Sequence, residues 1–284
     1  MSPPLRPAIA GLGIIGLRVA AALRSRGLSP AVWNRSPLPD QPGWVSSPRA
    51  LAEASDVLQF FLTDGPALLS VLSEMRPALG PGKIIVNSST ISLPDTKAAA
   101  KLVADSGAAF LDAPFTGSKT AAADGQLTYY IGGDPDLLET VRPLLEASAK
   151  EILFTGPSGS ATILKIATNM VSSTVVGILS EAMGLVAAQG IALTHFEAAL
   201  DRNAAASTLS RMKVPSMIAA DFSPHFSLKN MLKDASFGLQ LAHDSGLQLP
   251  ILTTVAEGMA EMAGNGRGDD DYSVMACNYL PARA

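Results

Sequence analysis

The sequence predicts an α/β protein in three parts: a doubly wound, mainly parallel sheet domain, a long interdomain helix, and an all-helical C-terminal domain. Three observations predict it. Short apolar runs alternate with helix-like segments over roughly the first 155 residues, the pattern of βαβ units. A glycine-spaced turn follows the first run. Beyond it, 158–189 is apolar, helical in period and free of proline, and 190–284 holds few β-rich runs. These boundaries divide the chain into a sheet domain over 1–157, the helix over 158–189 and a helical domain over 190–284.

The first strand, near Ala8, runs into Gly11-Leu12-Gly13-Ile14-Ile15-Gly16. This Gly-x-Gly-x-x-Gly turn opens a helix with Leu17, Ala20, Ala21 and Leu23 on one face. Gly11 permits the tight turn, Gly13 admits a pyrophosphate, and Gly16 lets the helix pack on the strand, so its free N–H groups face phosphates. Such a turn can be purely structural. A preceding strand, an amphipathic helix and a second strand ending near residue 33 favour a dinucleotide site of Rossmann type. About 20 residues on, an NAD site would place an acid for the ribose hydroxyls. Asn34, Arg35 and Ser36 stand there instead and can donate to a 2′-phosphate, which predicts NADP(H) over NAD(H).

Further strands fall over 57–62, 83–87, 109–112, 127–131 and 151–154, with helices over 67–75 and 95–106. Loops at the carboxyl ends of parallel strands bind ligands, which makes Thr63-Asp64 and 87–90 candidates by position. The long helix is apolar on nearly every side and should be buried as a spine between two domains. Within it, Lys165 and Asn169 are four residues apart and share a face. A lysine there is costly unless paired or used, and could donate a proton to a developing alkoxide; a lysine snorkelling at a domain edge is the other reading.

Composition narrows the partners. The chain has 284 residues, 48% hydrophobic, 16% charged and a net charge of −4, which gives no support for nucleic acid or membrane. The apolar run after Arg6 holds the three glycines and Arg18, unlike a signal sequence, and no stretch approaches the roughly 20 uninterrupted apolar residues of a span. A cytoplasmic protein is expected. The single Cys277, read as a partly buried thiol, excludes an internal disulfide. His195, His225 and His243 lack metal-ligand spacing and belong to surface or core, so no metal is expected. Asp269-Asp270-Asp271 reads as a solvated turn, and Met170, Met183, Met212, Met217 and Met231 as adaptable core packing.

The chain resembles the β-hydroxyacid dehydrogenase family, the 3-hydroxyisobutyrate dehydrogenase-like enzymes, over nearly its whole length. The likeness rests on the 11–16 turn, Asn87-Ser-Ser-Thr-Ile-Ser92 and Asp112-Ala-Pro-Phe-Thr-Gly-Ser-Lys119. It continues through 156–169, Phe226-Ser-Leu-Lys-Asn-Met-Leu-Lys233-Asp234 and Gly268-Asp-Asp-Asp-Tyr-Ser273. Trp33-Asn-Arg-Ser36 and Gly117-Ser-Lys119 look most like the glyoxylate/succinic semialdehyde reductase branch. The resemblance implies that Lys165 is catalytic and Asn169 orients it or the substrate. It also implies that Thr116, Gly117 and Ser118 hold a substrate carboxylate, Thr90 borders the nicotinamide end and Lys233 reaches the cofactor. Asn87, Phe115, Thr116 to Ser118 and Asn230 depart from the family's usual residues. The activity implied is NADPH-dependent reduction of small aldehyde or keto acids by a homodimer or homotetramer. Imine reduction and a catalytically silent NADP-binding protein are the rival readings.

Overall fold

The computed structural model describes residues 5–280 and divides into two compact units, Met1–Lys165 and Ile166–Ala284. In the first, β1 (Pro7–Ala10), α1 (Gly16–Ser25), β2 (Ala31–Trp33), α2 (Pro48–Ala54), β3 (Val57–Phe60), α3 (Gly65–Met75), β4 (Ile84–Asn87), α4 (Leu93–Asp105) and β5 (Ala109–Asp112) alternate. Then come β6 (Phe115–Thr116), α5 (Lys119–Ala123), β7 (Leu127–Gly132), α6 (Pro135–Leu145) and β8 (Ala149–Gly156). Helix α7 (Ser160–Ala188) starts in the first unit and runs on into the second. There α8 (Leu193–Asp201), α9 (Thr208–Ala219), α10 (Leu228–Asp244) and α11 (Pro250–Met262) follow, with a 3-10 turn over Tyr272–Asn278.

The five strands β2-β1-β3-β4-β5 are parallel in that order. The order reverses direction after β1, which places the glycine turn at a switch point of the sheet. The sheet is mainly parallel, as expected, and its antiparallel pairings are confined to the outer part. β6, too short to show a period, pairs antiparallel with β7, as β5 does at Asp112, and β8 then lies parallel to β7. The chain therefore doubles back through 117–126 instead of crossing over.

Side chains alternate between two cores, one on each face of the sheet. Ile9, Val86, Leu111 and Ile131 enter one, with Val19 and Leu23 of α1; Ala10, Leu58, Phe60 and Ile85 enter the other, with Leu68 and Leu72 of α3. Trp33 packs on the second core and Trp44 on the first, Trp44 also bridging to Val32 of β2. One polar chain crosses the sheet interior. Gln59 Nε2 donates to Ser88 Oγ at 2.9 Å and to the Tyr129 hydroxyl at 3.2 Å, and that hydroxyl lies 2.9 Å from Ser148 Oγ. Burial pushes the Tyr129 phenol up to about 12, against these hydrogen bonds, so it stays protonated.

In the second unit Leu228, Met231, Leu252, Met259 and Tyr272 form one apolar cluster, and Leu179, Met183, Val214 and Met217 another. Three expectations are corrected here. Met212 is 40% exposed, because its neighbour Lys213 takes the inward position on α9. Lys213 meets Asp271 at 2.6 Å with both side chains 3% exposed, so the aspartate run is a solvated turn only at Asp269 and Asp270, which pair with Lys229 and Arg267. Cys277 is exposed, lying just past the buried face Tyr272–Ala276 of the 3-10 turn.

Helix α7 departs most from expectation. It is long and apolar enough to cross a bilayer by length and composition alone, but Asn169, Ser173 and Ser180 are buried on its inner side. Leu164, Val171, Ile178 and Leu185, spaced seven residues apart, are 42–67% exposed. An all-round apolar composition hid an outward stripe, because composition does not say which face is covered.

Candidate active site

The backbone of the glycine turn requires two of its three glycines. Gly11 has φ +95°, and a Cβ there would stand 2.2 Å from the Phe61 carbonyl oxygen. At Gly16 a Cβ would stand 1.9 Å from the Gly11 oxygen. Both are excluded by backbone. Gly13 is different: it is exposed and nothing lies within 4 Å of its Cβ position, so the space beside it is open to a ligand. Leu12 is buried beneath the turn, Ile15 half-buried and Ile14 55% exposed. Ile15 is the N-cap of α1 and offers no side-chain acceptor, and the first turn holds no acid. That combination suits an anion at the helix start, and the residues present fit a dinucleotide diphosphate.

Asn34 is hydrogen-bonded within its own loop region. Its Oδ1 accepts the Leu12 N–H at 3.0 Å and its Nδ2 donates to the Ser36 carbonyl at 3.0 Å. The amide ties the glycine turn to the end of β2 and is engaged in shaping the loop. Arg35 and Ser36 are exposed beside it.

Two loops follow at the ends of β3 and β4. Thr63 is exposed and donates to Asp64, which in turn caps α3 by accepting the Ala67 N–H at 2.8 Å. Asn87 is fully buried; its amide accepts the Ser89 N–H at 3.1 Å and donates to the Ser89 carbonyl at 3.3 Å. Ser89 Oγ accepts the Leu62 N–H at 2.8 Å, fixing the two loops to each other just ahead of the half-buried Thr90.

The 116–118 segment, expected as a loop, is part strand and part helix cap. Thr116 is exposed at the end of β6, and Gly117 has φ +138°, with Leu127 2.7 Å from its Cβ position. Ser118 Oγ accepts the Ala121 N–H at 3.2 Å as N-cap of α5, leaving its hydroxyl hydrogen to donate. Phe115 packs edge-on to Phe61 at 5.8 Å and against Tyr129 at 6.1 Å, as part of the core.

On α7, Lys165 is half-buried and Asn169 is 8% exposed, one helical turn apart. Within the second unit the Asn169 Nδ2 donates to Asp234 Oδ2 at 2.6 Å, and Lys233 Nζ lies 3.1 Å from Asp234 Oδ1. The two candidate residues of this unit converge on one fully buried carboxylate. Sequence reasoning gave Asp234 no role, although an acid on the apolar face of an amphipathic helix was the available signal.

Residues 7–156 match the family described as the NAD binding domain of 6-phosphogluconate dehydrogenase, and 159–279 the NAD-binding domain of NADP-dependent 3-hydroxyisobutyrate dehydrogenase. The chain is 32% identical to 2-hydroxy-3-oxopropionate reductase of Escherichia coli, across 93% of this chain and 94% of that one. It is 28% identical to chloroplastic glyoxylate/succinic semialdehyde reductase 2 of Arabidopsis thaliana, across 93% and 76%. In fold it is similar to Mycobacterium tuberculosis 3-hydroxyisobutyrate dehydrogenase solved with L-serine, with a TM-score of 0.90, 24% identity and coverage of 98% and 100%. The class is therefore that of pyridine-nucleotide-binding oxidoreductases acting on CH–OH groups. The chain belongs to the β-hydroxyacid dehydrogenase family, the 3-hydroxyisobutyrate dehydrogenase-like enzymes.

Proposed function

We propose that the protein is an NADPH-dependent reductase of small aldehyde or keto acids of the glyoxylate or semialdehyde kind, reversible as a hydroxyacid dehydrogenase. The observation that supports this reading is the four-residue spacing of Lys165 and Asn169 along α7, Asn169 being held by the buried Asp234. The dinucleotide supplies the hydride when bound. The open side of Gly13 and the start of α1 accept its diphosphate, and Arg35 and Ser36 its 2′-phosphate. Lys165 holds the proton destined for the carbonyl oxygen, and Asn169 orients that oxygen or the lysine. The hydroxyls of Thr116 and Ser118, with the Gly117 N–H, suit a carboxylate.

The test is oxidation of NADPH and NADH, followed by absorbance, against glyoxylate, succinic semialdehyde, tartronate semialdehyde and a cyclic imine. Turnover of at least one carboxylate-bearing aldehyde with NADPH is expected; turnover of the imine alone overturns the reading. Arg35→Ala should raise KM for NADPH by about 10–100-fold, the loss of one charge-assisted contact, and leave KM for NADH unmoved. An equal effect on both cofactors would show that Arg35 does not read the 2′-phosphate.

We also infer a homodimer or homotetramer. The stripe Leu164, Val171, Ile178 and Leu185 supports it, since a second copy of this helix would cover a seven-residue apolar repeat. Val171→Glu combined with Ile178→Glu should lower the sedimenting mass to that of a smaller assembly; an unchanged mass would place the interface elsewhere.

A further inference from the structure

Asp112 ends β5 with its side chain fully buried. Its Oδ2 accepts the Thr162 backbone N–H at 2.8 Å, and its Oδ1 lies 2.8 Å from the Thr162 hydroxyl. Thr162 is the third residue of α7, so a carboxyl from the sheet caps this helix three residues ahead of Lys165. The helix start is tightly seated around it. A Cβ on Gly132, the β7 partner of Asp112, would stand 2.8 Å from the Pro157 oxygen and 2.9 Å from Ser160 Oγ, and Ser160 Oγ lies 2.7 Å from Thr155 Oγ1.

The contacts continue in series. The Thr162 hydroxyl lies 3.0 Å from that of Thr96 on α4, and the Thr96 hydroxyl lies 3.0 Å from the Ser92 carbonyl. Three contacts thus join Asp112, Thr162, Thr96 and Ser92. A hydroxyl carries one hydrogen and a carbonyl none. With Asp112 ionised, two hydrogens serve three contacts and one oxygen pair is left facing without a proton. With Asp112 neutral, its O–H donates to Thr162, Thr162 to Thr96, and Thr96 to Ser92, so every contact holds one hydrogen. The neutral acid still accepts the Thr162 N–H at its other oxygen.

We propose that Asp112 is a positioning residue for Lys165, fixing the first turn of α7 through Thr162 and Thr96, and that a proton on Asp112 completes this fastening. The inference rests on the reading of Lys165 as proton donor. The groups bonded to the carboxyl are Thr162 and Gly159 at the start of α7, its strand neighbours in register are Asn87 of β4 and Gly132 of β7, and Thr96 of α4 is reached through Thr162. All are uncharged. Burial pushes Asp112 up to about 6, against the donors of Thr162 and Gly159, which pull it down. A raised carboxyl pKa makes the folded state bind the proton more tightly. Its contribution to stability is full below about pH 4 and is lost as pH rises through about 6.

The experiment compares Asp112→Asn, Asp112→Ala, Thr162→Val and Thr162→Ser, with Lys165→Ala alongside. Three quantities are read: melting temperature against pH, kcat and KM separately, and the rate at which an amine reagent labels Lys165, followed by mass spectrometry. Asparagine donates to the Thr162 hydroxyl as the neutral acid does. Asp112→Asn should therefore gain on the parent in melting temperature as pH rises from about 4 to 7. It should keep kcat at least about tenfold above that of Asp112→Ala, the scale of a small misplacement of a reacting group. The labelling rate of Lys165 should change in Asp112→Ala and Thr162→Val and return in Thr162→Ser, with KM for NADPH unmoved. Parent-like kcat and labelling in Asp112→Ala or Thr162→Val overturn the positioning role. An asparagine variant that behaves like alanine overturns the proton-completed series. If Lys165→Ala turns over normally, the proton-donor reading fails by itself, and melting and labelling still decide the fastening.

Discussion

If Lys165 is the proton donor proposed above, Lys165→Ala should lower kcat for carbonyl reduction by about 10²–10⁴-fold, the usual contribution of a positioned acid, and leave nucleotide affinity near that of the parent. The fold should survive. Alanine is the best helix former, and Lys165 is only half-buried, so neither α7 nor the core loses much. The loss should fall on kcat, because the proton is needed as negative charge develops on the carbonyl oxygen and not when substrate binds. Stopped-flow single turnovers with NADPH and the best aldehyde acid separate the two. A variant that keeps the single-turnover rate would show that the proton reaches the oxygen from another group.

Lys213→Met costs the second unit about 3–5 kcal/mol of stability, the scale measured when one member of a buried ion pair is removed. Lys213 and Asp271 are each 3% exposed and 2.6 Å apart, so removing the cation strands a buried charge. Asp271 also accepts the N–H groups of His225, Phe226 and Ser273 and the Ser273 hydroxyl, so the carboxylate cannot turn to water when its cation goes. The Lys213 ammonium lies 4.5 Å from the Tyr272 ring centre as well. Burial by itself would raise the Asp271 pKa, but the hydrogen bond and charge of Lys213, with Ser273, hold it below the usual carboxylate range. A depressed carboxyl pKa stabilises the fold above about pH 4 and is lost as pH falls further. Chemical denaturation should therefore show Lys213→Met losing most at neutral pH and least in acid. Asp271→Asn added to it should recover part of the loss, since the stranded charge is then gone. A single variant within about 0.5 kcal/mol of the parent would mean the pair is replaceable.

The glycine turn was legible because it is a fixed spacing of one residue type; Gly11 and Gly16 answer separate backbone demands, and Gly13 leaves open space. The parallel strands were legible as apolar runs buried on both faces. β6 was not, since its two residues cannot show a period. Asn34 was read as a donor at the ribose end, and its hydrogen bonds go to Leu12 and Ser36, the first a pairing across 22 residues that spacing does not encode. Asp271 was misread for the same reason: its partner lies 58 residues away on α9. Asp234 went without a role because the need for it comes from Asn169, on another helix. Long-range polar pairs are specified by the fold and not by the local sequence.

The chain has two tryptophans, and both flank β2, Trp33 at its end and Trp44 bridged to its middle residue. Indole emission is therefore a gauge of one unit alone. It should sense a dinucleotide bound in the proposed position, by quenching and by energy transfer to reduced nicotinamide, and it should stay silent while the helical unit melts. A fluorescence transition and a far-ultraviolet dichroism transition that separate in denaturant would record the two units unfolding in turn, with no label added.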